Sequence, residues 1–212
     1  MAPLAAFTPR GRRRWAVTFG GFTLVSYAIE TVQAFRGLDP RFSAVAGPAD
    51  QLLGLGFFLV AQGVMICAFV VLWKFFTPST AQLPQAIRLA VRYGALAAVV
   101  GFGVGEAMSA LNGRVVGEAG NLLPAHAVGF HGVPAVPLVA LLLVWSGVET
   151  ARAARATHAA GLAWVVACAA ITAQSAAGRT MPDASLLPVL ALAGLAAWAI
   201  VLGWSAARAW HA

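Results

Sequence analysis

The stretch Gln51-LLGLGFFLVAQGVMICAFVVL-Trp73 decides the fold, because no charged side chain interrupts it from end to end. A helix of about 20 apolar residues crosses the hydrocarbon core of a bilayer, so this stretch predicts a transmembrane helix. Five further stretches of comparable length and apolar content lie on either side of it. The sequence therefore predicts six membrane spans, at residues 15–35, 51–73, 89–110, 126–147, 159–177 and 186–206.

The composition of the whole chain agrees with this pattern. Of the 212 residues, 60% are hydrophobic and only 10% are charged, which differs strongly from the usual composition of soluble domains. The polar stretches between the spans are too short to form a soluble domain. We therefore expect an all-α integral membrane bundle that occupies residues 1–212 as a single transmembrane domain.

The distribution of Lys and Arg predicts the orientation of the bundle. Ten of the 14 basic residues fall on the side that holds both termini, and four fall on the other side. Cytoplasmic loops carry the excess of positive charge, so both termini are predicted to be cytoplasmic. The net charge of +7 is then explained by topology and by attraction to anionic lipids. Nucleic-acid binding is excluded, since the basic residues form no patch interleaved with stacking aromatic side chains.

A few polar residues inside the apolar stretches form the candidate site. Span one carries Tyr27, Glu30 and Gln33 at helical spacing, so these side chains share one helix face, which we expect to look into the bundle. Glu106 lies a similar distance from the outer end of span three. Because successive spans alternate in direction, these residues are predicted to share the outer half of the membrane. Such groups are costly against lipid and normally face one another or water.

Two histidines open the fourth predicted span. His126 lies at its first residue, where a solvated position is the simplest interpretation, and His131 lies deeper. Pro134 and Pro137 follow, and each proline removes a backbone donor and crowds the carbonyl four residues earlier. We therefore expect a kink or a local unwinding just below His131, in a segment that lines a cavity.

Each of these polar residues also has a purely structural interpretation. Glu30 could be a protonated carboxyl group that is hydrogen-bonded to a neighbouring helix. Glu106 could pair with Arg36 or Arg114, and Asp50 would most simply cap the second span. Close helix packing is expected in any case, because Gly101-Phe-Gly-Val-Gly105 presents small residues four positions apart.

The spacing of the candidate residues does not match a known metal motif. His126 and His131 are five residues apart, about 140° around a regular helix, so they cannot easily bind one ion together. A metal, if the protein holds one, would be bound by one of these histidines with Glu30 and Glu106, a donor set that suits zinc, iron or manganese. The identity of any cofactor is left open by the sequence.

Two segments carry a resemblance to known proteins. His126-Ala-Val-Gly-Phe-His131-Gly-Val-Pro-Ala-Val-Pro137 and the span-one exit Val32-Gln-Ala-Phe-Arg-Gly37 resemble a group of uncharacterised small bacterial membrane proteins, in which a histidine pair opens a transmembrane helix. This chain has Gly-Val-Pro after the pair where that group has Ala-Leu-Gln. The resemblance implies about six spans and the bacterial inner membrane, and it implies no activity.

Three classes of function remain for this sequence. The first is binding of a small or lipid-like ligand in an outward-facing pocket, with or without catalysis; the second is a non-catalytic subunit of a membrane complex; the third is proton-coupled transport. Transport ranks last, because polar residues become rare toward the cytoplasmic side and leave no continuous polar path. The candidate catalytic residues are Glu30, Glu106 and His131, and the candidate ligand-binding residues are Tyr27, Gln33 and His126.

Overall fold

The computed structural model describes residues 7–39, 47–180 and 183–212, and within these ranges the chain forms six α-helices. They are α1 Pro9–Phe35, α2 Pro48–Trp73, α3 Gln85–Ala110, α4 Leu123–Trp145, α5 Thr150–Ala176 and α6 Leu186–Trp210. A small antiparallel hairpin, β1 Val115–Val116 and β2 Gly120–Asn121, connects α3 to α4. The prediction of an all-α architecture is confirmed, and the hairpin is a local addition to it.

Five of these helices are long and apolar enough to cross a membrane: α2 with the turn that follows it, α3, α4, α5 and α6. This shows a polytopic membrane protein. Helix α1 does not reach the same apolar content, because it begins with Arg10, Arg12, Arg13 and Arg14 and carries Glu30 near its end. The predicted first span, 15–35, therefore stays a prediction.

The start of α5 differs most from the predicted bounds. The helix begins at Thr150 and not near residue 159, because the Glu149 carboxylate accepts the backbone N–H groups of Ala151 at 3.1 Å and Arg152 at 3.3 Å. These bonds satisfy donors that a helix start otherwise leaves unpaired. Hydropathy alone misses the first turns of α5, since they carry Arg152 and Arg155.

The chain divides into two compact units, Met1–Thr80 with Ser109–Gly113, and Ala81–Met108 with Arg114–Ala212. In the first unit, α1 packs along α2. Gly63 of α2 lies directly beneath the Phe22 ring, because a methyl group built on this glycine would lie 2.7 Å from the ring. The two helices therefore approach closely here, and a larger side chain at this position would require the Phe22 ring to move.

The second unit contains most of α3 together with α4, α5 and α6. Helices α3 and α4 meet at Gly101 and Gly129, where a methyl group built on Gly129 would lie 2.5 Å from the Gly101 Cα atom. The predicted small-residue packing of span three is confirmed here. Apolar helices gain little hydrophobic energy by meeting inside a bilayer, so such close backbone contact stabilises the pair through dispersion.

Two tryptophans connect α5 and α6 to the backbone of α4. Trp164 Nε1 donates to the Val128 carbonyl at 3.1 Å, and Trp198 Nε1 donates to the Ala135 carbonyl at 3.2 Å. The two indole rings contact each other edge to face, with centroids 4.9 Å apart. These contacts hold α4 on both sides of Pro134, and the helix continues without interruption through Pro134 and Pro137. The alternative of a local unwinding below His131 is therefore wrong, and the alternative of a kink stays a prediction.

Candidate functional site

The residues that the sequence singles out lie in both units. The first unit contains Tyr27, Glu30 and Gln33, and the second contains Glu106, His126 and His131. A single site built from Glu30, Glu106 and His131 therefore stays a prediction.

Gln33 is the centre of a polar cluster at the end of α1. Its side chain is completely buried, with 0% exposure. Gln33 Nε2 donates to Asp50 Oδ1 at 3.0 Å, and Gln33 Oε1 accepts a hydrogen bond from Arg36 Nη1 at 2.7 Å. Arg36 Nη2 donates to Asp50 Oδ2 at 3.1 Å, and a second bond from Nη1 to Asp50 Oδ1 completes a two-pronged ion pair. Such paired bonds to a carboxylate are stronger and more directional than a single one.

The backbone at the end of α1 positions this cluster. Gly37 adopts a left-handed conformation with φ of 71°, which glycine reaches without steric cost. The Leu38 N–H then donates to the Gln33 carbonyl at 2.9 Å, and the Gly37 N–H donates to the Ala34 carbonyl at 3.0 Å. This arrangement closes the helix end and satisfies two of its last carbonyl groups.

Asp50 has a different role from the predicted one. It lies in the first turn of α2, but the cap position is Gly47, which makes no side-chain cap bond. The carboxylate instead pairs with Arg36, and the predicted capping role of Asp50 is wrong. Two sequence positions could have revealed this ion pair. Arg36 lies one residue after the end of α1, and Asp50 lies in the first turn of α2.

A second buried glutamine closes the end of α5 in a similar way. Gln174 is 0% exposed, its Nε2 donates to the Thr180 carbonyl at 2.8 Å, and its Oε1 accepts from Ser185 Oγ at 3.1 Å. The Ser185 N–H donates to Asp183 Oδ1 at 2.9 Å. Hydrogen bonds from Ser185, then from Gln174, hold the pKa of Asp183 below its ordinary value. Gly178 follows Gln174 by four residues, as Gly37 follows Gln33, and has φ of 70°.

The remaining candidates of α1 are more exposed than Gln33. Glu30 is half-buried, and Tyr27 has 63% of its surface exposed. The Thr23 hydroxyl, one turn earlier, donates to the Phe19 carbonyl of its own helix at 2.8 Å. The helix face that carries these residues is therefore buried at Gln33 and exposed at Tyr27. The predicted orientation of this whole face toward the bundle interior is not observed.

His126 connects α4 to α3. Its Nδ1 lies 2.8 Å from the Gly101 carbonyl oxygen, and its ring contacts the Phe130 ring edge to face with centroids 4.7 Å apart. A methyl group on Gly105 would lie 2.9 Å from His126 Cε1, so the ring fills the space that this glycine leaves. The side chain is half-buried, and the interpretation of His126 as a solvated residue is wrong.

His131 differs from His126 although both belong to α4. It is exposed, and its Nδ1 lies 2.7 Å from the Ala127 carbonyl oxygen one turn earlier. Because a carbonyl can only accept, Nδ1 carries the proton and donates, which leaves Nε2 as an acceptor in the neutral ring. His131 therefore presents a basic nitrogen at the surface of an apolar helix.

Glu106 is also exposed, on α3. It follows Gly105, the glycine that accommodates the His126 ring. In the part of the chain that the structure describes, no three His, Cys, Asp or Glu side chains gather in a way that could hold a metal ion. The predicted metal donor set would draw on both units and stays a prediction.

The structure also contains a cavity that sequence reasoning missed. It lies between the turn that joins α4 to α5 and the last turns of α6, and it has a volume of about 480 Å³. Arg152, Trp204 and Arg208 line it. Arg152 is more than fifty positions away from Trp204 and Arg208 in the sequence, so their meeting depends on how α5 and α6 pack.

The chain matches no family model, no curated protein and no solved structure.

Proposed function

We propose that this chain is a six-span protein of the bacterial cytoplasmic membrane that binds a small or lipid-like ligand on its outer side. The five apolar helices support the membrane location. Helix α1 would be the sixth span, since its 27 residues reach about 40 Å at 1.5 Å per residue. The resemblance of the segment from His126 to Pro137 supports the bacterial membrane, and the charge distribution supports cytoplasmic termini.

The observation that carries the ligand-binding proposal is the state of His131. No charged side chain occurs in α4, and the helix has only two histidines. His126 is used for packing against α3, whereas His131 is exposed with Nδ1 engaged by its own helix. An imidazole on the surface of an apolar helix is costly unless it interacts with a polar group. A ligand that donates a hydrogen bond to Nε2 would provide that interaction.

Glu30, Glu106 and His131 have complementary chemistry in this proposal. A neutral imidazole can take a proton from a ligand hydroxyl group, and a carboxyl group can donate or accept one. These three residues would act as acid and base if the ligand is transformed. Tyr27, Gln33 and His126 would shape the binding region.

Mass spectrometry of molecules that copurify with the protein tests the ligand-binding proposal. The wild-type protein in mild detergent should retain a defined small or lipid-like molecule, and His131→Gln should lose most of it while folding normally. His158→Gln, which changes an exposed histidine of α5, should retain it. Equal retention by wild type and His131→Gln would contradict the proposal.

Cysteine cross-linking tests whether Glu30 and His131 share one site. The native Cys67 and Cys168 are free thiols and would first be replaced by alanine. Glu30→Cys with His131→Cys should then cross-link rapidly through a short bis-maleimide, and Thr23→Cys with His131→Cys should cross-link far more slowly, because Thr23 lies about two turns away along α1. Equal rates for both pairs would remove Glu30 from the shared site.

A second function, a non-catalytic subunit of a membrane complex, is favoured by a different observation. Only 6% of the most apolar window of α2 is buried within the chain, against 44% for α3 and α5. A helix so little covered by its own chain can pack against another protein. Purification in mild detergent followed by native mass spectrometry should then show a stoichiometric partner protein, and a partner-free protein would contradict this function.

A further inference from the structure

The cavity between the α4–α5 turn and the end of α6 is lined by a stacked group of three side chains. The guanidinium carbon of Arg152 lies 5.1 Å from the centroid of the Trp204 ring, and that of Arg208 lies 6.0 Å from it. Both distances are typical of cation–π contacts. One indole ring therefore contacts two positive charges, although these charges repel each other.

Neither Arg152 nor Arg208 forms an ion pair with another described residue. Glu149 also lines the cavity, but its two oxygens accept the backbone N–H groups at the start of α5. Among the lining side chains, Arg152 and Arg208 outnumber the single carboxylate of Glu149.

The stacking also orients the arginines. A guanidinium group that lies against an aromatic ring keeps the N–H groups along its edge available as donors. Two such edges around one cavity match the oxygens of a phosphate group, which accepts paired hydrogen bonds from arginine.

The neighbouring tryptophans indicate where this phosphate comes from. Trp145 at the end of α4 is 80% exposed, and Trp210 at the end of α6 is 88% exposed. Exposed tryptophans at the ends of transmembrane helices lie at the level of the lipid headgroups. The cavity opens at the same helix ends, so the phosphate groups nearest to it belong to lipids.

We propose that Arg152, Arg208 and Trp204 form a binding site for the phosphate of an acidic phospholipid. The site is independent of the ligand region proposed around His131. Its chemistry is that of a phosphate group, which either a lipid or free phosphate could supply, and the experiment below separates these two sources.

Native mass spectrometry of the delipidated full-length protein, titrated with phosphatidylglycerol, tests the site. The double variant Arg152→Gln/Arg208→Gln should weaken binding of the first lipid by about tenfold or more, since two charge-assisted contacts are lost. The matched control Arg12→Gln/Arg155→Gln removes the same charge outside the cavity and should bind like wild type. Equal weakening in both double variants would overturn the proposal, since it would show non-specific attraction.

Two further measurements complete this test. Arg152→Lys/Arg208→Lys keeps the charge but loses the planar donor edge, so its affinity should lie between those of wild type and the glutamine variant. Circular dichroism should show native helix content for both double variants, so that the weaker binding of the glutamine variant is not a result of misfolding. Titration with inorganic phosphate distinguishes the sources: binding of phosphatidylglycerol that millimolar phosphate does not displace supports a lipid site, and tight binding of phosphate alone would overturn the lipid assignment.

Discussion

The α1–α2 and α5–α6 junctions both contain a buried glutamine near the end of the first helix, and they differ in the groups that this glutamine contacts. Each outgoing helix ends with a fully buried glutamine, Gln33 or Gln174, followed four residues later by a glycine with positive φ. At α1–α2 the glutamine is bonded to the ion pair of Arg36 and Asp50. At α5–α6 it is bonded to a hydroxyl group, a backbone carbonyl and the Asp183 carboxylate, without an ion pair of its own.

This difference shows that a buried amide needs partners of the right geometry, and that a bidentate ion pair is not required among them. A buried glutamine without partners would cost the full desolvation of its amide. Among the polar residues of α1, Gln33 is fully buried and hydrogen-bonded to Arg36 and Asp50, and Glu30 is more exposed.

Membrane topology is the prediction with the largest effect, because its outcome is all or none. If both termini are cytoplasmic, the two glutamine junctions lie outside and the turns after α2 and α4 lie inside. Alkaline phosphatase should therefore be active when fused after Asp39 or Arg179 and inactive when fused after Thr77 or Gly147. Green fluorescent protein fusions at the same positions should give the opposite result. Active phosphatase after Gly147 would reverse the orientation.

Removal of the Arg36 charge at the α1–α2 junction should have the next largest effect, and this effect is on thermal stability. Arg36→Ala leaves the Asp50 carboxylate, which has 10% side-chain exposure, without its ion-pair partner. The melting temperature of the detergent-solubilised protein should fall by about 3–6 °C, as expected for a buried polar group that loses its partner. Intrinsic tryptophan fluorescence during heating measures this change.

The controls for this variant isolate the pair from general charge effects. Arg114→Ala, which removes an exposed arginine near the hairpin, should change the melting temperature little. The double variant Arg36→Ala/Asp50→Ala should lose less than the sum of the single variants, because the second change removes the charge that the first one left unpaired. Strict additivity would mean that the ion pair contributes nothing.

The helices could be predicted from the sequence because hydrophobicity dominates them. The predicted ends of spans one, two and three at residues 35, 73 and 110 are also the observed ends of α1, α2 and α3. The start of α5 was missed because its first turns are polar, and the hairpin was missed because strands of two residues show no periodicity.

The candidate site was less predictable than the helices. The sequence indicates Gln33 as a candidate ligand-binding residue, and this role stays a prediction. Its hydrogen-bond partners depend on how Arg36 and Asp50 are positioned at the ends of α1 and α2. The sequence interpretation gives Arg36 a place among the outer charges and Glu106 as a possible partner, but its position beside a glycine turn brings it to Asp50. The contrast between His126 and His131 could not be predicted, because the close approach of Gly101 and Gly129 decides which histidine reaches α3.

The contribution of the α5–α6 junction to thermal stability should depend on pH, and this is the smallest of the predicted effects. Hydrogen bonds from Ser185 and Gln174 lower the pKa of Asp183 in the folded protein. A group with a lowered folded-state pKa stabilises the fold above its unfolded-state pKa, about 3.9 for aspartate, and loses this contribution as the pH falls through the folded-state value. The melting temperature of wild type should therefore exceed that of Asp183→Asn by one or two degrees at pH 7.

The same difference should shrink as the pH is lowered below about 4, because protonation removes the charge that distinguishes Asp183 from asparagine. The asparagine oxygen can still accept from Ser185, so these hydrogen bonds survive while the charge is removed. Glu118→Gln, which changes an exposed acid in the hairpin turn, is the matched control and should leave the pH dependence unchanged. A constant difference between wild type and Asp183→Asn from pH 7 to pH 3 would show that the α5–α6 junction is stabilised by neutral hydrogen bonds alone, and it would sharpen the contrast with the ion-paired α1–α2 junction.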